Sequence, residues 1–313
     1  MMKKIIIDGD PGHDDIIAFL VALAHKQELE ILGFTTVCGN NLLDKVTNNI
    51  LKVIDYLGID CPVSKGADAP LIREPEPQPL AHGESGMDGP ILDEPTSKVS
   101  DLSAVEFMKK MLMENDKVTI VGIGPLTNIA LLLKSYPELK NKIEEIVIMG
   151  GSVYSGNIIA KAEFNIYHDP EAAKIVFNSK VPLTMAPIEV CQAGAYRVDE
   201  IDYFKNKGKV SKLVYDLLDF YMGYSRRHNL EDSPIFDMTT IIYLLKPEIF
   251  KYEMMNVDIE CSGQHTRGMT VCEPISEYSH IKNPVKVLLD CDNEKHNTIF
   301  KESIVSLDKN NVI

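Results

Sequence analysis

Short apolar runs alternate along the chain with segments of helical spacing. Ile5-Ile6-Ile7 predicts a strand over 4–8, and Ile16-Ile17-Ala18-Phe19-Leu20 predicts a buried helix over 14–26. Residues 29–37 are apolar with β-branched residues near their end, which predicts a second strand, broken by Cys38-Gly39-Asn40. Leu42, Leu43, Val46, Ile50, Val53, Ile54 and Leu57 recur at helical spacing, and Gly58 fits a C-cap. Residues 62–64 can form a short third strand. The alternation resumes with a helix over 103–114, a strand over 118–123, a helix over 125–135 and a strand over 143–149. A helix over 169–179 and a strand over 181–187 follow. Helices are then expected at 200–206, 211–228 and 237–245, late strands at 252–261, 268–272 and 285–289, and a last helix after Asp292. Strands alternating with helices predict an α/β fold. Its centre would be a Rossmann-like, open, mainly parallel sheet flanked by helices, with extra C-terminal helices and the late strands at an edge or in a small annex. Neither an internal repeat nor a linker interrupts the pattern, so one domain is expected over 1–313.

Two stretches break the alternation. Residues 66–100 are rich in Pro and Gly around His82-Gly83-Glu84-Ser85-Gly86-Met87-Asp88-Gly89, and residues 152–168 carry Asn157, Glu163 and Asn165. Long loops in compact domains are usually functional or disordered. Open α/β sheets bind ligands at the carboxyl ends of their strands. Asp10, Asn40, Ile123-Gly124 and Met149-Gly150-Gly151 would therefore share one rim, within reach of both loops.

The first strand-to-helix turn, Asp8-Gly9-Asp10-Pro11-Gly12-His13-Asp14-Asp15, crowds four carboxylates together. Like charges so close raise one another's pKa. A helix N-terminus relieves only about 0.3–1 kcal/mol per anion. A divalent cation with oxygen ligands would relieve far more. Helix capping accounts for one acid, Asp14. It does not account for Asp8 and Asp10, two apart on a strand end and so pointing to the same side.

Composition narrows the partner. The net charge is −14 and no basic cluster occurs, which argues against nucleic acid or an anionic membrane. The apolar run after Met1-Met2-Lys3-Lys4 is too short for a signal-peptide core, and no stretch approaches the ~20 apolar residues of a membrane span, so a cytoplasmic protein is expected. Cysteines 38, 61, 191, 261, 272 and 291 form no Cys-x-x-Cys pair and read as free thiols. The rim motifs hold acids, amides and histidine without Lys or Arg. That suits a hydroxyl-rich ligand such as a sugar, bound partly through a hard metal, and does not suit phosphate. Gly122-Ile123-Gly124 is no dinucleotide fingerprint, because Thr127 stands where the third glycine should fall. The EF-hand spacing is also absent around 8–15.

The turn at 8–15 resembles the signature of the inosine-uridine-preferring nucleoside hydrolases. Thr35-Thr36-Val37-Cys38-Gly39-Asn40, His82-Gly83-Glu84-Ser85-Gly86-Met87, Gly124-Pro125-Leu126-Thr127-Asn128-Ile129-Ala130, Met149-Gly150-Gly151, Ala162-Glu163-Phe164-Asn165 and Gly268-Met269-Thr270-Val271 resemble further motifs of that family, in the right order. The resemblance implies Ca²⁺-dependent hydrolysis of the N-glycosidic bond of ribonucleosides to ribose and free base. It implies Asp10, Asp15, the Ile123 carbonyl and Asp237 as Ca²⁺ ligands, with Asp10 also the general base. By the same resemblance Asp14, Asn40, Asn157, Glu163 and Asn165 bind ribose, Met149 packs near the sugar, and Asp8 stands behind the metal ligands. A homo-oligomer is implied, tetramer favoured over dimer.

One position departs from the family's pattern. Many members that accept inosine or uridine carry His-Asp where this chain has Phe236-Asp237. Phe236 can stack on a base but cannot protonate one. The absence of Trp removes the indole stacking of purine-preferring relatives. His82 matches a histidine found near the base in pyrimidine-preferring relatives, so uridine and cytidine are favoured as substrates. Tyr224 and His228, four apart, are expected to face the pocket from one helix. His13 is expected to point away. The alternative is a nucleoside- or ribose-binding protein whose catalysis is impaired by Phe236.

Overall fold

The computed structural model describes residues 2–309. Among them the strands are β1 Lys3–Gly9, β2 Leu29–Thr36, β3 Val63–Lys65, β4 Val118–Gly122, β5 Ile143–Met149, β6 Leu183–Ala186, β7 Tyr196–Arg197, β8 Asp232–Ser233, β9 Phe250–Ile259, β10 Thr270–Pro274 and β11 Pro284–Cys291. Nine of them form one sheet in the order β10-β9-β11-β6-β5-β4-β1-β2-β3. β1 pairs in parallel with β2 on one side and β4 on the other. The chain runs outward through β2 and β3, then crosses back to build β4, β5 and β6. That reversal makes the β1/β4 boundary the switch point, where open α/β sheets bind ligands.

The apolar run of β1 supplies both faces of the sheet. Ile5 and Ile7 are buried in one core cluster and Ile6 in the other. A strand covered on both sides reads as continuous apolar sequence, as this one does. The helices are α1 His13–Ala24, α2 Leu43–Leu57, α3 Pro79–His82, α4 Ala104–Glu114, α5 Thr127–Ser135, α6 Phe164–His168, α7 Pro170–Phe177, α8 Ile188–Ala193, α9 Lys209–Tyr221, α10 Gly223–Arg227, α11 Met238–Leu245 and α12 Asn293–Lys309. Residues of α1, α2, α9, α11 and α12 fill the Ile5/Ile7 side; those of α4, α5 and α7 fill the other.

Some elements differ from expectation. The late strands join the main sheet at its edge, β9 running antiparallel between β10 and β11. The small separate sheet is instead the β7–β8 pair. The helix expected over 211–228 is two helices, α9 and α10, separated at Met222. The segment expected as a helix at 200–206 is a 3-10 helix over Val198–Phe204. No helix among the described residues is long and apolar enough to cross a membrane.

Candidate active site

The carboxyl ends of β1, β2 and β4 close around Asp10. Its Oδ2 accepts the Asn40 backbone N–H at 2.6 Å, and the Asn40 side-chain amide donates to the Asp10 carbonyl at 3.1 Å and to Asp15 Oδ2 at 3.3 Å. Asp15, in the first turn of α1, accepts the backbone N–H groups of Asp10 at 3.1 Å and Gly12 at 2.9 Å. Two glycines permit this approach. A Cβ at Gly39 would lie 2.0 Å from Asp10 Oδ2, and one at Gly124 would lie 2.6 Å from Oδ1. Asp8 is turned to a different set of partners. It accepts Thr35 Oγ1 at 2.5 Å and Asn128 Nδ2 at 2.8 Å. Burial pushes it up to about 7 against those two hydrogen bonds.

Asp14, Asp15 and Asp237 offer oxygens within 4.8 Å of one another and could hold a metal ion. Burial pushes Asp15 up to about 8, with the charge of Asp14 adding to it. Burial also raises Asp10, then the charge of Asp15; Asp237 rises by burial and by the charges of Asp14, Asp15 and Asp10. Asp10 Oδ1 and Asp14 Oδ1 are buried without a hydrogen-bond partner. No Lys or Arg lines the cleft. Buried acids with orphaned oxygens and no basic partner fit a hard divalent cation, which reverses the local preference and stabilises the anions.

A cleft opens beside this cluster. Asp14, Asn40, His82, Ile123, Met149, Asn157, Glu163, Asn165, Phe236 and Asp237 all line it. Asp10 and Asp15 do not line it, but are bonded to Asn40, which does. Several lining groups already have protein partners. Glu163 caps α6, accepting Asn165 N at 2.8 Å and Ile166 N at 3.2 Å, and also takes Gly151 N at 2.9 Å. Burial pushes its carboxyl up to about 7. The Asn165 amide ties the ends of β4 and β5 together, donating to the carbonyls of Ile123 at 3.2 Å and Met149 at 3.1 Å. Asn157 Oδ1 accepts Phe164 N at 2.9 Å.

Residues 5–298 match the sequence profile described as inosine-uridine preferring nucleoside hydrolase. The chain belongs to this family. The pyrimidine-specific ribonucleoside hydrolase RihA of Escherichia coli (strain K12) is 45% identical over 278 residues, 87% of this chain and 89% of that protein. The purine-preferring ribonucleoside hydrolase from Gardnerella vaginalis superposes with a TM-score of 0.91 at 30% identity, covering 98% of this chain and 99% of that one. A plant nucleoside hydrolase, PpNRh1, superposes with a TM-score of 0.90 at 29% identity, covering 97% and 99%. The relatives are N-glycosyl hydrolases, and the mainly parallel α/β fold is theirs.

A nucleoside hydrolase must also hold the base, and here the structure departs from two expectations. Tyr224 is 58% exposed on α10, with His228 stacked on it at 4.3 Å between ring centroids. Neither reaches the cleft; Tyr224 lines a neighbouring depression with Arg227. The residue that enters is Tyr221, the last of α9, whose hydroxyl donates to Asp14 Oδ2 at 3.2 Å. The signal for it was in the sequence. Val210, Leu213, Val214, Leu217 and Leu218 form the buried stripe of α9, and Tyr221 continues it at the next turn. Gln78 and Phe164 also line the cleft and had not been singled out. His13 does not line it. It is fully buried behind His82, between Phe220 and Tyr221.

Proposed function

We infer that this chain hydrolyses the N-glycosidic bond of ribonucleosides, uridine and cytidine ahead of purine nucleosides, as one catalytic domain that uses Ca²⁺. The observation that carries this is the buried carboxylate cluster with orphaned oxygens, set against a cleft lined by amides, acids and His82. Asp10, Asp15, Asp237 and the Ile123 carbonyl are the residues that would hold the ion. When bound, the cation supplies positive charge that lowers the pKa of an adjacent water. Asp10 Oδ1, free of other partners, takes that water's proton as its oxygen adds to C1′ of the ribose. Asp14, Asn40, Asn157, Glu163 and Asn165 hold the ribose hydroxyls, and Met149 packs against the ring. The nearby carboxylates stabilise the oxocarbenium-like charge that develops on the sugar. As the C1′–N bond breaks, its electron pair leaves with the base and His82 Nε2 gives the base a proton. Phe236 stacks on that base.

The pyrimidine preference rests on His82 in the cleft, on the absence of Trp, and on the 45% identity to a pyrimidine-specific hydrolase. The deciding experiment is a panel of uridine, cytidine, inosine and adenosine with purified protein, with and without Ca²⁺. Ribose release from the pyrimidine nucleosides, lost on chelation and restored by Ca²⁺, is expected. No release from any of the four sinks the reading. Phe236 favours one competing reading, a nucleoside-binding protein with impaired catalysis. That protein would bind uridine in calorimetry and turn it over only after a proton donor is restored. The assembly we propose is a homotetramer, which light scattering would read as four times the 35.0 kDa chain.

A further inference from the structure

His13 sits in the signature turn, yet it faces the rear of His82. Its Nε2 lies 2.7 Å from the backbone oxygen of Asp88, and its Nδ1 lies 3.1 Å from Nδ1 of His82. A carbonyl oxygen only accepts, so His13 Nε2 carries a hydrogen. Turning the His13 ring over would set C–H groups against both partners, so the ring orientation is decided by the same contacts. His13 is fully buried and stacked at 5.2 Å on Phe220 and 5.6 Å on Tyr221. Charged groups near it are Asp14 on α1 and Asp88 in the loop, but neither carboxylate bonds to it. The Asp88 carboxylate is occupied by Glu84 N, Ser85 N and Ser85 Oγ. An unpaired imidazolium there is disfavoured, and burial holds the ring neutral.

A neutral imidazole has one N–H. With Nε2–H spent on Asp88, His13 Nδ1 offers a lone pair. His82 Nδ1 must then be the donor across the 3.1 Å contact. The opposite edge of the His82 ring, with Nε2, makes no hydrogen bond to the protein and remains accessible, and His82 lines the cleft.

We propose that His13 is a positioning residue that fixes the tautomer of His82, holding its proton on Nδ1 so that Nε2 alone gains and loses a proton toward the leaving base. This rests on the hydrolase reading above. The chain Asp88 C=O···H–Nε2 His13 Nδ1···H–Nδ1 His82 is intact in both states of His82. In the charged state Nε2–H points into the cleft. When the C1′–N bond breaks, the electron pair goes to the base and the Nε2 proton follows it. His82 is left neutral with Nδ1–H still held, and solvent returns the proton to Nε2. No ring rotation is needed. The arrangement gives His82 the fixed tautomer that a buried orienting group gives the histidine of a catalytic triad, here from a neutral partner. It also answers the loss at Phe236, because one well-oriented donor replaces an acid on the other wall.

The test compares two substrates in three proteins. Uridine needs its base protonated, whereas p-nitrophenyl β-D-riboside has a leaving group that departs as a stable anion. His13→Phe keeps the ring stacking and removes both hydrogen bonds. His13→Asn keeps an acceptor near the Nδ1 place. His13→Phe should lose about 100-fold or more in kcat on uridine, the scale of general acid catalysis, with KM changing less than about threefold. It should lose less than about tenfold in kcat on the nitrophenyl riboside, and His13→Asn should recover most of the uridine rate. Equal losses on both substrates, or a uridine rate within about twofold of wild type, overturn the proposal. Neutron diffraction of the deuterated wild-type protein reads the tautomer directly. Deuterium on His82 Nδ1 and on His13 Nε2 is expected; a neutral His82 with deuterium only on Nε2 overturns the inference whatever the kinetics. A wild type inactive on every riboside would instead sink the functional reading, with the tautomer still measurable.

Discussion

Two side chains divide the reaction at the scale of the residue. Asp10 has one oxygen tied to Asn40 N and the other buried without a partner. Asp10→Ala removes the proton acceptor and a ligand, and should lower kcat on uridine by at least about 100-fold with the far-UV spectrum unchanged. A variant that stayed active would take Asp10 out of the mechanism. Phe236 decides between hydrolase and impaired binder. If His82 already supplies the proton, Phe236→His changes kcat/KM on uridine by less than about tenfold; a rise of several orders of magnitude would show that wild type lacks its donor. Tyr221 acts through Asp14. Tyr221→Phe leaves Asp14 Oδ2 without its donor, and one hydrogen bond of about 1 kcal/mol corresponds to about a fivefold rise in KM for uridine with kcat little changed. Steady-state kinetics on that single variant checks it.

The elements explain why some of this was legible in the chain and some was not. β1 and α1 carry long, unambiguous apolar patterns, and their junction put Asp10, Asp14 and Asp15 together in the sequence before any coordinates. Asn40, Ile123 and Met149 followed from strand ends alone. The break between α9 and α10 was not legible, because a glycine inside a helical pattern costs only about 1 kcal/mol and the apolar spacing continues past it. That continuity carried Tyr224 and His228 into the expected site, while the actual turn of the chain at Met222 leaves them outside and Tyr221 in. β7 and β8 are two residues each, too short to show a period. His13 was misjudged for a different reason. A histidine beside metal-site acids has no sequence signal for what lies behind it, and its partners come from 69 and 75 residues away. Those partners sit on a loop tied to itself. Gly83 takes φ +79°, and a Cβ there would meet the Asp88 carboxylate at 2.2 Å. Asp88→Ala frees Glu84 N, Ser85 N and Ser85 Oγ together, and should lower kcat about tenfold by loosening the support of His13 and His82. Stopped-flow and steady-state rates equal to wild type would make the loop a bystander.

At the scale of the whole molecule the site is a store of unfavourable charge. Asp8 and Glu163 are pushed up to about 7 and Asp15 to about 8, while Asp10, Asp14 and Asp237 are raised as well. A carboxyl whose folded pKa is raised contributes stability at low pH that is lost as pH rises through that folded value. The buried histidines act in the opposite sense. His13 is lowered to about 3, and His82, His168 and His296 to about 4, so their effect is confined to pH below about 6.5, where the unfolded chain takes up protons. Above that pH they are neutral in both states. Buried Cys38, Cys61, Cys272 and Cys291 are pushed up to about 12, so they lower stability only toward about pH 9, where unfolded thiols ionise. Between about pH 6.5 and 8.5 the carboxylates therefore set the slope. The Tm of protein stripped with chelator should fall across that window. Ca²⁺ binds only the folded cluster, and at about 100 times its dissociation constant adds about 2.7 kcal/mol. Because protons compete for the same oxygens, the gain in Tm on adding Ca²⁺ should be larger at pH 8.5 than at pH 6.5. Calorimetric scans at the two pH values, with and without the ion, read this directly. A Tm that ignores Ca²⁺ at pH 8.5 would mean that the clustered acids face one another with no cation between them, and the hydrolytic water would then need another source of activation.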